Sequence, residues 1–315
     1  MRTGSMTALV SAFARAYHFQ NECVRVFEDS VAKRLLGETY GQIAEHMTAG
    51  VQWFEPGFSG TEEEALQRIV NKRLAPTPLA RAAFAERALR QAVCCGAKQY
   101  LILGAGYDTF AYRQSTWARE LQIFELDQQA VQQEKRRRLE QAGILLPDNV
   151  HFIGADLGRE GWMESLCAQE TFGCREITFC SALGLSYYLL PQAFETLLGR
   201  LMAILPEGSA VAFDYPEEER ATGPQTGQQR KLAAAAGETM RANYRRGEME
   251  ERLARQGLLL YEQLGPEEID RRFFARYNLF SPDRSMKAVE GVSFALAVKK
   301  QMGPAGCGLE GFLQK

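Results

Sequence analysis

The sequence is poor in the residues that build metal centres and in the patterns that mark membrane or secreted proteins. Its 315 residues include three histidines, far apart, and its seven cysteines form no C-x-x-C pair. We therefore expect no metal centre and predict that the cysteines are buried thiols of a reducing compartment. No apolar run approaches the ~18 residues of a membrane helix, and no basic-then-apolar leader is present, so we expect a cytoplasmic protein.

The chain also lacks an excess of charge of either sign. Its 37 Lys and Arg residues against 39 Asp and Glu residues give a formal net charge of -2. A near-neutral chain has no general attraction for nucleic acid or anionic lipid, so we expect neither a nucleic-acid nor a membrane partner. The composition is that of a soluble globular protein with one large or two small domains, and it leaves the oligomeric state open.

What the sequence does contain is, first, a long segment of helical spacing. Apolar residues recur at helical intervals over 6–95, and Thr61–Glu64 forms a capping box that opens a helix. Pro76 and Pro78 are expected to break that helix before another runs over 80–95. Residues 1–95 are therefore predicted to form a helical N-terminal cap.

From residue 96 onward, short apolar runs alternate with helical segments. The predicted strands are 100–103, 121–126, 150–153, 177–180, 210–213, 258–262 and 292–298. This alternation predicts an α/β fold with a parallel sheet covered on both faces, and the different rhythm of the last two strands suits a terminal antiparallel strand. Residues 96–302 are predicted as this core, with a mobile insertion near 217–247, and 303–315 as a flexible tail.

A glycine-rich loop follows the first predicted strand. In an open α/β sheet the ligand binds beyond the carboxyl ends of the strands, where Gly104-Ala105-Gly106 and Asp108 stand in this chain. Glycines let a ligand approach the backbone closely, although the same pattern also occurs in a simple tight turn. Thr109 stands where a dinucleotide fingerprint has its third glycine, which disfavours a nicotinamide or flavin dinucleotide and hence an oxidoreductase.

Carboxylates end the second and third predicted strands. Asp127 lies about 20 residues after the glycines, where an acid can bind both ribose hydroxyls, but it could instead cap the next helix. Asp156 with Leu157 suits an adenine, the acid accepting from the exocyclic amine, although an ordinary surface acid is the alternative. The set indicates an adenosine ligand without a diphosphate, which S-adenosylmethionine fits.

Six motifs stand in one order along the chain. They are Phe27–Ala32, Arg81 with Glu86, LILGAGYDTFAYR at 101–113, Phe124–Asp127, Asp156–Leu157 and Gly184–Leu189. This order resembles the leucine carboxyl methyltransferase-like family of class I methyltransferases. The resemblance implies a Rossmann-like seven-stranded sheet under a helical cap. It also implies methyl transfer from S-adenosylmethionine to a carboxylate or hydroxyl of a small molecule, or to a protein C-terminal carboxylate.

The resemblance also assigns roles by position. It implies that Arg81 pairs with the methionine carboxylate of the cofactor and that Gly104–Gly106 passes beneath the methionine part. Asp127 would then hold the ribose, and Asp156–Leu157 the adenine. One departure is Leu183, where the family has a glutamate. It leaves the contacts of the cofactor's ammonium open, and with them a non-catalytic adenosine-binding scaffold as the alternative function.

Candidate catalytic residues follow the fourth and fifth strands. Transfer from a sulfonium is an in-line displacement whose rate depends mainly on alignment of the acceptor. A carboxylate acceptor is already ionised near neutral pH, whereas a hydroxyl benefits from a base. Asp214 is the candidate base, and Tyr187 and Tyr188 are candidate orienting hydroxyls.

Overall fold

Seven strands form one sheet in the computed structural model, which describes residues 5–218, 234 and 237–300. They are β1 (Gln99–Leu103), β2 (Gln122–Asp127), β3 (Val150–Gly154), β4 (Thr178–Ala182), β5 (Ala210–Pro216), β6 (Leu258–Leu264) and β7 (Val292–Lys299). Their order is β3-β2-β1-β4-β5-β7-β6. Strands β1 to β5 pair in parallel, and β7 is antiparallel to β5 and β6. The predicted α/β class and mixed sheet are confirmed.

The central strands are buried along their whole length because helices cover both faces of the sheet. Every residue of β1, β4 and β5 is buried, as expected of strands without a solvated face. Alternate side chains of β1 enter two different cores. Tyr100 and Ile102 pack with the N-terminal helices, whereas Leu101 and Leu103 pack on the opposite face.

Helices precede the sheet and alternate with its strands. Within the described residues they are α1 (Met6–Asn21), α2 (Ala32–Leu36), α3 (Thr39–Ala49), α4 (Val51–Phe54), α5 (Glu62–Ile69), α6 (Pro76–Cys94), α7 (Gln129–Gln141), α8 (Trp162–Cys167), α9 (Pro191–Ile204), α10 (Met249–Arg255), α11 (Pro266–Ile269) and α12 (Ala275–Phe280). Two π-helical turns, Val70–Leu74 and Asp270–Phe274, connect α5 to α6 and α11 to α12.

The prolines near residue 76 open a helix, contrary to the prediction. Thr61 and Glu64 form the predicted capping box of α5. The expectation that Pro76 and Pro78 precede a helix starting near Ala80 is wrong, because α6 begins at Pro76 itself. An amide in the first turn of a helix has no intrahelical partner, so a proline there removes no hydrogen bond.

The described residues cover only part of the predicted domain boundaries. Helices α1 to α6 precede β1, so the predicted cap segment is helical, while its boundary at 95 stays a prediction. The predicted insertion near 217–247 falls largely outside the described residues, and the predicted tail at 303–315 falls wholly outside them. No helix in the described ranges is both long enough and apolar enough to cross a membrane. The prediction that the cysteines are buried is wrong for most of those in the described ranges, since Cys180 is buried but Cys23, Cys94, Cys95, Cys167 and Cys174 are exposed.

A buried histidine anchors the end of α1. His18 is fully buried, and its Nε2 accepts a hydrogen bond from the amide of Val26 at 2.9 Å, which requires that nitrogen to be unprotonated. The ring lies 5.5 Å from that of Tyr277. Burial, reinforced by the charge of Arg25, lowers the pKa of His18 from 6.5 to about 4.

We expect His18 to make the free energy of unfolding depend on pH. Its contribution to stability is fully present above the unfolded-state pKa of 6.5 and is lost as pH falls towards 4. In that range the imidazole is protonated in the unfolded chain but stays neutral in the folded chain, so acid favours unfolding. The loss should reach about 3 kcal/mol. Urea denaturation of the wild type and of His18→Gln between about pH 4 and pH 7 measures it. Profiles of equal slope for the two proteins would contradict the assignment.

Candidate active site

A cavity of about 1440 Å³ lies where the carboxyl ends of β1 to β4 meet the N-terminal helices. The neighbours of β1, namely β2 and β4, lie on its two sides, so this is the switch point at which open α/β sheets bind ligands. The predicted site residues that line the cavity are Arg81, Gly104, Gly106, Asp127, Asp156, Leu157, Tyr187 and Tyr188.

Three predicted site residues lie behind this lining. Ala105 is buried, and its amide donates to the carbonyl of Leu126 at 3.0 Å. Asp108 turns to its own loop, where its Oδ1 accepts from the amide of Phe110 at 2.8 Å. Asp214 is fully buried. Direct ligand contact by these three residues stays a prediction. In the structure they support the residues that line the cavity.

The glycine loop and Asp127 are built as one unit. Gly104 and Gly106 have φ of 69° and 44°, in the left-handed region, and a Cβ on Gly106 would lie 3.1 Å from that of Ala8 in α1. The Gly106 amide donates to Asp127 Oδ2 at 2.7 Å, and the Gln128 amide donates to Oδ1 at 2.7 Å. Each carboxylate oxygen keeps an acceptor position for a ligand. Burial raises the pKa of Asp127, against the effect of the two amides.

The alternative role of Asp127 as a helix cap is not realised. Helix α7 begins at Gln129 with Gln128 in the N-cap position, and no side chain caps it. The next acid, Asp156, is exposed; it accepts from the Gly158 amide at 3.0 Å and pairs with Arg159 at 3.3 Å.

Asp214 fixes Arg81 from below the cavity. Its Oδ2 accepts from Arg81 Nη1 at 3.1 Å and from the Tyr187 hydroxyl at 3.0 Å, while its Oδ1 accepts from the Gly184 amide at 2.6 Å. Burial would lower the pKa of Arg81, but the Asp214 carboxylate outweighs it and raises that pKa. Burial and Asp214 also raise the pKa of Tyr187, so its phenol stays protonated. This geometry favours a positioning role for Asp214 over the predicted role as a base.

A second buried carboxylate, Asp29, fastens the cap to the glycine loop. Its Oδ2 accepts from Arg15 Nε at 2.9 Å and from the Thr109 hydroxyl at 2.8 Å, and its Oδ1 accepts from the Ala32 amide at 3.0 Å. Arg15 also donates to the carbonyl of Tyr107 at 2.8 Å. Burial alone would raise the pKa of Asp29, but the neighbouring arginines and hydrogen bonds lower it. The loop is therefore held from α1 and from the segment that follows it.

Further contacts between the cap and the glycine loop explain two of the sequence motifs. Arg113, which ends the glycine-loop motif, forms an ion pair with Glu86 on α6 and lies over the ring of Phe27, with 4.7 Å between the guanidinium carbon and the ring centroid. Helix α6 thus carries Arg81 to the cavity and Glu86 to the loop. Unlike Arg81, the motif residues Phe27, Glu86 and Arg113 hold the loop and the cap together and do not line the cavity.

The cap contributes a half of the cavity that sequence reasoning missed. One face of α3 supplies Thr39, Gln42, Ile43, His46 and Met47. Leu74 comes from the end of the first π-helical turn, and Thr77 and Pro78 come from the start of α6. Residues 237–241 form a further part of the wall. The spacing of the α3 residues marks one helical face, but only the packed structure reveals that this face meets the cavity.

A family model described as leucine carboxyl methyltransferase matches residues 8–202. The chain belongs to the leucine carboxyl methyltransferase family. The family that the motifs predicted is thereby confirmed.

One named relative matches over nearly the full length of both chains, and another over less than half. The chain is 35% identical over 305 residues to YktD of Bacillus subtilis (strain 168), a protein named as a candidate S-adenosyl-L-methionine-dependent methyltransferase, and the match covers 94% of this chain and 98% of YktD. It is also 35% identical, over 41% of its own length and 42% of the other, to a similarly named protein of Mycobacterium marinum.

Solved structures share the fold at low sequence identity. A DUF574 family protein from Streptomyces avermitilis has a TM-score of 0.59 and 16% identity, with 92% of this chain and 97% of that chain covered. A candidate methyltransferase from Thermobifida fusca has a TM-score of 0.54 and 14% identity, with 95% and 97% covered. These likenesses confirm the predicted class I methyltransferase fold of this family member.

We expect Gly184→Ala to disturb the cavity through Arg81. Gly184 has φ of 71°, and a Cβ there would lie 2.8 Å from Arg81 Nη1, whose place is fixed by Asp214. The variant should bind S-adenosylhomocysteine roughly tenfold more weakly in calorimetry. Gly143→Ala is the matched control, since Gly143 has φ of 60° and open space around it. Both variants should lose about 1–2 kcal/mol of stability. Equal affinities for the two variants would argue against the contact.

Proposed function

We propose that this protein transfers a methyl group from S-adenosylmethionine to an oxygen atom of a small molecule. Membership of the family and the name of its relative YktD support methyl transfer with this cofactor. The observation that carries the proposal is the convergence of Asp127, Asp156 and Arg81 on the glycine loop in one cavity.

The residues present fit this cofactor. The glycines leave space that a Cβ would fill, and Asp127 keeps acceptor positions suited to the two ribose hydroxyls. Asp156 and Leu157 stand together for the adenine, and Arg81 supplies a cation for the methionine carboxylate. When bound, S-adenosylmethionine supplies an electrophilic methyl group.

The acceptor that this site suits best is a carboxylate. The Tyr187 hydroxyl donates a hydrogen bond to Asp214, and the Tyr188 hydroxyl donates one to the Thr7 hydroxyl at 3.2 Å. Burial raises the pKa of both phenols, so neither provides a base. Asp214 already accepts three hydrogen bonds. A carboxylate acceptor needs no proton removed, and the protein's contribution is then alignment and exclusion of water.

The cap half of the cavity suits the body of such an acceptor. Ile43, Met47, Leu74 and Pro78 give it apolar surface, and polar groups of Thr39 and Gln42 interrupt it. A few polar groups on an apolar wall are typical of small-molecule sites.

Labelled methyl groups can test both the activity and the acceptor. Cell extract is incubated with the protein and S-adenosylmethionine labelled in its methyl group, and the product is then treated with alkali. A carboxyl methyl ester releases volatile labelled methanol, whereas a methyl ether keeps its label. Base-stable label would instead favour a hydroxyl acceptor, with His46 in the lining as the base to examine. Binding of S-adenosylhomocysteine without any labelled product would favour the scaffold alternative that Leu183 raised.

We expect Asp127→Ala to weaken binding of S-adenosylhomocysteine by about 2–4 kcal/mol, because two hydrogen bonds from the ribose to a charged acceptor are lost. Isothermal titration calorimetry measures the change. Asp148→Ala, which removes an exposed acid just before β3, is the control and should leave the affinity unchanged. An unaltered dissociation constant for Asp127→Ala would place the ribose elsewhere.

We expect Gln42→Trp to hinder binding of the methyl acceptor in the cap half of the cavity without affecting binding of the cofactor. Gln42 is exposed and lines the cavity from α3, so a larger side chain takes up acceptor space without entering the core. Methyl transfer should fall about tenfold or more, with S-adenosylhomocysteine affinity within about twofold of wild type. Glu45→Trp on the same helix, at an exposed position outside the lining, should have no effect. Full activity in Gln42→Trp would show that the acceptor binds elsewhere.

A further inference from the structure

A carboxylate that no sequence motif predicts faces the cavity beside the N-terminus of α1. Oε1 of Glu238 accepts from the Met6 amide at 2.7 Å, and Oε2 accepts from the hydroxyls of Ser5, at 3.0 Å, and Thr7. All four residues line the cavity. A carboxylate offers about four acceptor positions, so one position on Oε1 remains for a ligand.

Glu238 has no cationic partner among the described residues. Of the carboxylates that line the cavity, Asp156 is paired with Arg159 at 3.3 Å, and Asp127 is held by two backbone amides. Glu238 is held by one amide and two hydroxyls. A partly buried carboxylate of this kind is stabilised when a ligand brings a positive charge to it.

The position of Glu238 relative to Arg81 follows from α1. Glu238 bonds to Thr7, and Arg81 Nη2 donates to the hydroxyl of Ser11 at 3.2 Å. Residues four apart on a helix share a face, with their Cβ atoms about 5–6 Å apart. A carboxylate and a guanidinium therefore flank a single helical turn of the cavity wall. Opposite charges so spaced match the ammonium and carboxylate of one amino acid.

We propose that Glu238 binds the ammonium group of the methionine moiety of the cofactor, while Arg81 binds the carboxylate of that moiety. The inference rests on the proposed function, since it presupposes that S-adenosylmethionine occupies the cavity. The loop after β4 supplies the apolar Leu183 to the same lining. In this chain the acid comes instead from the segment after β5, which also donates the Arg241 amide to the carbonyl of Tyr187 at 2.7 Å.

The test compares two ligands that differ in the amino-acid group. S-adenosylhomocysteine carries that group, and 5′-methylthioadenosine has the same nucleoside and thioether without it. Glu238→Gln removes the charge but keeps the size, and its amide can still bond to Ser5 and Thr7. Calorimetry should show S-adenosylhomocysteine affinity lowered about 10- to 100-fold and 5′-methylthioadenosine affinity within about twofold of wild type. The ratio of the two affinities does not depend on the folded fraction.

Glu218→Gln is the matched control, because Glu218 pairs with Arg245 at 3.2 Å on the exposed surface outside the lining. It should leave both affinities unchanged. If Glu238→Gln weakened binding of both ligands equally, Glu238 would act only as a cap of α1. Any result in which the ratio of the two affinities equals that of the wild type would overturn the proposal. A wild-type protein that binds neither ligand would instead remove the proposed function itself.

Discussion

The buried ion pair between Asp29 and Arg15 holds the glycine loop against the cap, because Asp29 accepts from the Thr109 hydroxyl and Arg15 donates to the Tyr107 carbonyl. Residues of both parts line the cavity. A buried carboxylate is tolerated when its lone pairs are satisfied, and Thr109 and backbone amides complete that requirement here. Arg15 stands on α1, the same helix whose Ser11 contacts Arg81. One helix therefore carries both the anchor of the loop and a wall of the site.

Much of the fold could be predicted from local pattern. Buried parallel strands are continuous apolar runs, and the seven predicted strands each begin within one residue of the observed strand. The start of α6 was mistaken because a proline pair marks the end of one helix and the first turn of the next equally well. Pairing of β7 between β5 and β6 is a long-range property that no local pattern specifies.

Some residues of the candidate site could also be predicted from the sequence, and others could not. Asp127 and Asp156 were predictable because a parallel sheet brings strand ends to one edge. Glu238 was not, since its contact with Thr7 joins residues 231 positions apart. Asp214 was recognised as an acid at a strand end, but the donors that occupy it come from α6 and from the loop after β4. Sequence shows which groups are present, and packing decides which of them are free to act.

The interior place of β7 also has a consequence for synthesis. Strand β5, which carries Asp214, is paired on the edge away from β4 with β7, through pairs that run from Ala210 with Val298 to Pro216 with Val292. A nascent chain that has emerged only through β5 therefore presents an unpaired apolar edge, the kind of surface on which chains aggregate and which chaperones shield. Among the described strands β7 is the last along the chain, so the strand that carries Asp214, the partner of Arg81, is paired on both edges only after nearly the whole chain has been made.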